Sequence, residues 1–377
     1  MKFICVRAAA RREKRSQLMK ITKAIIVEKE KFDFIEIDMP ALGPHDVLVK
    51  TKAVGLCHTD LPTFLGTMGC IMTERGYTRV VSSTEYPADT GHEPVGQIIE
   101  VGKEVTNYKV GQWISGMGGG KLGAFNAGAF SDYLIVEDSD RQFVALPDGL
   151  EHPERCCAEP LGCITNMVRH TPAILGSNIA VVGCGFMGLM AIAGLSKSGA
   201  QHVTAVDLLD NKLELAKKLG ATDVINPLNG PVDDAAYDMT NGKFYDAVVE
   251  ITGSLKGLDT AAAILRPSQR ESLKSFDGTF NGHGVIIMAS VYLANETFPV
   301  PLGFNLCAKS PELWAVNPDF AVSPRENMLR GVQAYADRKL PMDELITHTF
   351  KFEDVQKGFE LLKKPEKSYV KGLITFD

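Results

Sequence analysis

The chain has 377 residues, 45% of them apolar and 23% charged, the proportions of an ordinary globular protein with room for about two domains of ~150 residues. Forty Lys and Arg against 46 Asp and Glu leave a formal charge of −6, so neither nucleic acid nor an anionic membrane is expected as a partner. No apolar run approaches the ~20 residues that cross a bilayer, and the eight cysteines (Cys5, Cys57, Cys70, Cys156, Cys157, Cys163, Cys184 and Cys307) follow no regular spacing, which points to a reducing cytoplasm rather than a disulfide scaffold.

Residues 1–18 carry six cations (Lys2, Arg7, Arg11, Arg12, Lys14 and Arg15) against Glu13 and read as a basic N-terminal extension before Met19. A secretory signal would need an apolar segment after the charges; an organellar transit peptide is the alternative reading. From residue 21 to 52 short runs alternate in polarity, broken by Pro40, Gly43 and Pro44. The alternation resumes around VGQIIEVGKEV and FSDYLIVE with turn or bulge glycines at Gly96, Gly102, Gly111 and Gly116. The first ~150 residues are therefore predicted to be mostly antiparallel β in a barrel-like sheet. Residues 65–91 lack periodicity and are long for a plain connection, so they read as a flap over a site or as a surface insertion.

At Asn178 the pattern changes. Apolar strands (NIAVVG, HVTAVD, TDVIN, YDAVVEI, HGVIIMAS) alternate with helical stretches, the rhythm of a doubly wound parallel sheet. The alternation is expected to end near Leu306, with the tail rejoining the first domain. Within VVGCGFMG, Gly183, Gly185 and Gly188 form G-x-G-x-x-G directly after a strand and opening a helix, with Phe186 and Met187 between the last two glycines. Asp207 ends the next strand. Bare backbone lets a pyrophosphate approach the helix N-terminus, whose N–H groups favour anions, and the acid suits ribose hydroxyls while repelling a 2′-phosphate. NAD is expected over NADP, although Lys212 could meet a phosphate.

Cys57 in GLCHTD, His92 and Glu93 in GHEP, and Glu159 in AEPLG are thiolate, imidazole and carboxylate donors, a set suited to catalytic Zn²⁺ with one position open. Spread over a hundred positions, they satisfy no local ligand rule.

These segments together, GLCHTD, GHEPVG and EPLG followed by the glycine fingerprint and Asp207, resemble the zinc-dependent medium-chain dehydrogenase/reductase family over about residues 19–377, and the glutamate in EPL is similar to the polyol, sorbitol, threonine, butanediol and sugar dehydrogenase branch. The resemblance implies an α/β protein with a GroES-like β-rich catalytic domain (19–160 and 308–377) and a Rossmann NAD-binding domain (161–307). It implies that Cys57 and His92 ligate zinc, with Glu93 and Glu159 direct or water-mediated members. Thr59 would take the substrate proton, Asp60 would orient His92, and Ala289 and Val291 would line the nicotinamide pocket. Catalytic roles fall to Thr59, Glu93 and Glu159. Two departures stand out. The segment 113–133 lacks the four cysteines of a structural zinc, so one catalytic zinc per chain is expected. Pro62 falls where some relatives place a relay histidine, which leaves the proton exit to Glu159, water or His58.

A cysteine among Cys156, Cys157 and Cys163 could replace Glu159 as ligand, but buried free cysteine more often acts as a small hydrophobe. The expected reaction is hydride transfer between NAD and a secondary alcohol of a sugar, cyclitol or polyol. A small secondary alcohol, butanediol or threonine is the alternative, and a zinc-free enone or quinone reductase or a non-enzymatic dinucleotide binder would leave the metal set without a purpose. A homodimer or homotetramer through an edge strand is implied.

Overall fold

The computed structural model describes residues 20–72, 75, 78–121, 128–138, 142–267, 283–290, 300–316 and 324–377. They divide into two compact units, one reaching Glu159 and resuming at Ile346–Asp377, the other Pro160–Leu345. Among the described residues no helix is long and apolar enough to cross a membrane.

The first unit opens with a hairpin of β1 (Lys20–Glu28) and β2 (Lys31–Asp38). Its main sheet is built on β3 (Asp46–Leu56), whose DVLVKTKAVGL sequence buries nearly every residue. After the short helix α1 (Leu61–Phe64), β4 (Gly69–Met72) and β5 (Thr78–Val81) pair as an antiparallel hairpin inside the stretch read as a flap or insertion. Next come β6 (Pro94–Val101), β7 (Trp113–Gly116), β8 (Tyr133–Glu137) and β9 (Phe143–Ala145). The chain returns later as β16 (Ile346–Lys351), helix α9 (Val355–Lys363) and β17 (Lys371–Thr375). The sheet order is β16-β17-β3-β6-β7-β9, with β8 also paired to β3. Register shifts interrupt β3 against β6 at Leu48/Val49 and Thr51/Ala53; such bulges bend a strand and let a sheet curl, as the glycine pattern predicts. Val47, Val49, Val54, Ile98, Ile114, Phe130 and Phe359 fill the core.

Helix α2 (Ala158–His170) begins at the division between units. The second unit is a six-stranded parallel sheet of β10 (Asn178–Val182), β11 (His202–Val206), β12 (Asp223–Ile225), β13 (Ala247–Glu250), β14 (Val285–Met288) and β15 (Glu312–Ala315), in the order β12-β11-β10-β13-β14-β15. All five residues of β10 are buried, as expected for a parallel strand covered on both faces. The helices are α3 (Phe186–Leu195), α4 (Asp210–Lys218), α5 (Val232–Met239), α6 (Leu255–Ile264), α7 (Val300–Lys309) and α8 (Pro324–Ala336). Strand order reverses beside β10, where a doubly wound sheet binds its ligand.

The return boundary differs from the sequence reading of 307/308. The alternation does not end near Leu306, because ELWA adds β15 to the sheet beside β14 in parallel register. The second unit therefore runs to Leu345 and the first resumes at Ile346. Residues 1–18, assigned to a basic extension, lie outside the described residues, as does Val291.

Candidate functional site

In the first unit, β3 ends at Leu56 and delivers Cys57, which opens a 3-10 turn over His58–Asp60. His92 and Glu93 stand immediately before β6. The thiol, imidazole and carboxylate of Cys57, His92 and Glu93 offer ligand atoms that all lie within 4.8 Å of one another, the one such group of three or more among the described residues. Thr59 Oγ1 is exposed beside them, 3.2 Å from Cys57 Sγ and 3.3 Å from His92 Nε2.

Asp60 organises this corner. Its Oδ1 accepts from Thr90 Oγ1 at 2.6 Å and from the Gly91 N–H at 3.1 Å, and lies 2.9 Å from His92 Nδ1. With Nδ1–H donated to the carboxylate, Nε2 keeps its lone pair for a metal. Burial alone would raise the Asp60 carboxyl, but the adjoining His92 and the three hydrogen bonds hold it below its ordinary value. Burial likewise opposes charge on His92, yet Asp60 and Cys57 raise its imidazole well above the usual range. The local field thus favours a positive charge at this point, proton or metal, and the donor set fits zinc.

Glu93 is 1% exposed and its partner is Lys371 on β17, 4% exposed, with Nζ 2.7 Å from Oε1 and 2.6 Å from Oε2. Burial opposes the Lys371 charge, but Glu93 and Cys57 raise it above the ordinary lysine value. Room for Glu93 exists because position 55 is glycine: a Cβ there would fall 1.8 Å from Glu93 Oε2. Lys371 and Gly55 escaped the motif reading. The available signal was a lysine inside the apolar strand VKGLITF, a position that a folded core tolerates only with an acid at hand.

Glu159 stands outside the group of three. It lies in the first turn of α2, partly buried, and its charge adds to burial and to Glu93 in raising the Cys157 thiol well above its ordinary value. Cys157 is not among the donors that meet within 4.8 Å. Pro62 is buried in α1. In the segment without cysteines, Lys121 Nζ lies 2.7 Å from Asp46 and 3.0 Å from Glu137, while residues 122–127 lie outside the described residues.

In the second unit the glycine loop follows β10. Gly183 has φ +103°, and a Cβ on Gly188 would fall 1.8 Å from the Gly183 carbonyl oxygen, so both positions require glycine. Gly185 caps the ten-residue helix α3 without a side-chain hydrogen bond, and a Cβ there would meet open space. An uncapped helix N-terminus behind open space fits a pyrophosphate. Asp207 accepts the Cys184 N–H at Oδ2 (2.7 Å) and the Leu209 N–H at Oδ1 (2.9 Å), leaving lone pairs on both oxygens for ribose hydroxyls. Lys212 is 6% exposed; burial lowers its ammonium value against the pull of Asp207. Phe186 is buried and Met187 half-buried in the first turn of α3. Ala289 follows β14 and donates its N–H to the Glu250 carbonyl at 3.0 Å.

Comparison with known proteins follows the same division. Residues 43–148 match the alcohol dehydrogenase GroES-like domain and residues 187–289 the zinc-binding dehydrogenase domain, together more than half of the chain. The chain is 28% identical over 361 residues to L-threonine 3-dehydrogenase of Caldanaerobacter subterraneus subsp. tengcongensis, covering 89% of this chain and 93% of the relative. It is 28% identical over 375 residues to the NADP-dependent isopropanol dehydrogenase of Thermoanaerobacter brockii, covering 91% and 96%. The crystal structure of 2R,3R-butanediol dehydrogenase from Bacillus subtilis shares the fold with a TM-score of 0.73 at 24% identity, covering 94% of this chain and 99% of that one. With both domains of one enzyme family matched in order, the chain belongs to the zinc-type medium-chain alcohol dehydrogenases.

Proposed function

We propose that the chain transfers a hydride between NAD and a secondary alcohol carrying further hydroxyls, a sugar, cyclitol or polyol, with one zinc ion held by Cys57, His92 and Glu93. The observation that carries this reading is the meeting of those three donors within 4.8 Å beside the exposed Thr59 hydroxyl. When bound, zinc supplies a Lewis acid that makes the substrate hydroxyl more acidic, and NAD supplies the hydride acceptor.

The remaining work belongs to the chain. Asp60 fixes the ring of His92 so that Nε2 points toward Thr59, and Thr59 Oγ1 takes the proton that the substrate hydroxyl gives up. Pro62 has no titratable atom, and the exposed Thr59 hydroxyl releases its own proton to water as it takes up the substrate's. Asp207 receives the ribose hydroxyls and repels a 2′-phosphate, and Lys212, the cation beside it, is buried. This favours NAD, in contrast to the isopropanol relative, whose name specifies NADP.

A second reading, a small secondary alcohol or threonine as substrate, is favoured by the names of the threonine and isopropanol relatives. The polyol reading rests on the glutamate in EPLG. Assembly into a homo-oligomer is supported by β15, the outermost strand of its sheet, where Leu313 is half-exposed and Val300 and Phe304 on α7 are exposed.

The test is NADH formation from polyols, sugars, threonine and simple secondary alcohols, with and without a zinc chelator and with NADP as the comparison. Chelator-sensitive turnover of polyols with NAD supports the first reading, and turnover confined to threonine or small alcohols moves it to the second. Chelator-insensitive reduction of enones with NADPH would sink both.

A further inference from the structure

Strand β1 presents Ile21, Lys23 and Ile25 on one face, and all three are buried, Lys23 completely. Its ammonium lies 2.7 Å from Oδ2 of Asp89, and both side chains are fully inaccessible. Asp89 stands three residues before His92, in the loop that carries two of the three proposed metal donors.

That loop is held at successive residues. Ala88 exchanges both backbone hydrogen bonds with Ile26 of β1 (2.8 and 2.9 Å), and Asp89 is paired with Lys23. Thr90 and Gly91 donate to Asp60. The His92 carbonyl accepts the Gly118 N–H, and the Glu93 carbonyl accepts the Gly55 N–H. Residues 128–131 also contact it: the Ala129 N–H donates to the Gly91 carbonyl at 2.9 Å, a Cβ on Gly128 would fall 2.5 Å from the Thr90 carbonyl oxygen, and the Ser131 backbone forms a β-bridge with that of Lys23.

A fully buried ion pair is a poor stabiliser, since desolvation offsets most of its attraction and apolar residues of similar volume commonly do as well or better. At position 23 an apolar side chain would simply continue the face of Ile21 and Ile25. What the pair supplies is direction: a short charge-assisted contact adds a side-chain tether at Asp89 to the backbone bonds that hold Ala88 on β1.

We propose that Lys23 is a positioning residue for the metal centre, acting through Asp89 to fix the register of residues 88–93 and so the placement of His92 and Glu93. This rests on the reading of Cys57, His92 and Glu93 as metal donors. The structural alternative, a pair that only supports the fold, predicts that stability and metal binding fall together; the positioning role predicts that they separate.

The experiment compares wild type, K23M/D89L, which removes both charges, and D89N, which keeps an acceptor for Lys23 but removes its counter-charge and so is expected to be the less stable of the two. Each is measured for its thermal midpoint in chelator, its Zn²⁺ affinity by chelator competition, and the absorption spectrum of the Co²⁺-loaded protein. The double variant is expected to melt within a few degrees of wild type or above it, to bind Zn²⁺ about 10- to 100-fold more weakly, and to show an altered Co²⁺ spectrum. D89N is expected to weaken Zn²⁺ binding in the same direction. Wild-type affinity and spectrum in the folded variants would overturn the proposal, as would affinity that falls only in step with the midpoint. Failure of the wild-type protein to take up Zn²⁺ would overturn the metal reading and the proposal together.

Discussion

Replacing Lys371 by Met tests the Glu93–Lys371 pair most directly, because it leaves a carboxylate that is 1% exposed with its counter-charge gone. At 2.7 Å and an effective dielectric of about 20, the attraction is about 6 kcal/mol, and desolvation of the two groups offsets most of it. The loss on deleting one partner is set instead by the bare buried charge, about 3–5 kcal/mol. For a domain of about 150–250 residues each kcal/mol moves Tm by about 2–4 °C, so the variant should melt about 6–20 °C below wild type in chelator. The double variant E93Q/K371M removes the orphaned charge and should recover most of that loss. Zinc supplies the missing positive charge, so the deficit of the single variant should shrink when Zn²⁺ is added. Differential scanning fluorimetry with chelator and with Zn²⁺ reads all of this. A chelated K371M protein melting within ~2 °C of wild type, or no recovery in the double variant, would refute the reasoning.

Burial pushes the Asp132 carboxyl up to about 6 against the hydrogen bond it accepts from the Thr22 N–H at 3.1 Å. A raised folded value means stability present below the unfolded value of 3.8 and lost as pH climbs through about 6. The gap corresponds to about 3 kcal/mol at 1.36 kcal/mol per pH unit, reduced by half-exposure to about 1 kcal/mol. Asp132→Asn keeps the acceptor for Thr22, so denaturant unfolding should show the variant stabilised at pH 7 and unchanged at pH 4; destabilisation at pH 7 would contradict the assignment. Gly55→Ala places a methyl 1.8 Å from Glu93 Oε2; it should break the Lys371 contact and lower Zn²⁺ affinity at least tenfold by chelator competition, and full zinc content at wild-type affinity would count against Glu93 as a donor. Light scattering should find a dimer or larger species, and Phe304→Glu on the exposed face of α7 should weaken it if that face and β15 form the interface.

The second unit was the more legible of the two because its signals are local. VVGCGFMG places strand, turn and helix within a few residues, and Asp207 follows at the spacing that a βαβ unit imposes. Its missed boundary has an equally local cause: ELWA is four residues long, and its burial alternates because β15 lies at the edge of the sheet, so it lacks the continuous apolar run that marked β10 and β13. In the first unit, the donors Cys57, His92 and Glu93 were visible as residue types, but their meeting depends on β3 and β6 lying side by side, a pairing across some 40 residues that no spacing rule contains. Glu159 shows the converse, since a motif shared with a family named the residue while the group within 4.8 Å does not include it.

The lysines hold the part of the site that the motifs do not spell. Lys23 and Lys371 are buried in two different strands of the same unit, and their partners, Asp89 and Glu93, flank His92 on either side. Each lysine alone reads as an anomaly in an apolar strand; taken together they grip both ends of the segment ADTGHE. A metal donor set needs its ligands placed to within a fraction of an ångström, and this loop has little apolar side-chain volume with which to pack itself in place. Two directional charge contacts, one on β1 and one on β17, do what packing cannot. The same arrangement explains why Asp60 is so heavily engaged between them, with Thr90, Gly91 and His92 all on one oxygen. Weakening the outer clamps should therefore shift His92 relative to Cys57 before it unfolds the domain, and the Co²⁺ spectrum, which reports ligand geometry rather than stability, is where that displacement would first be seen.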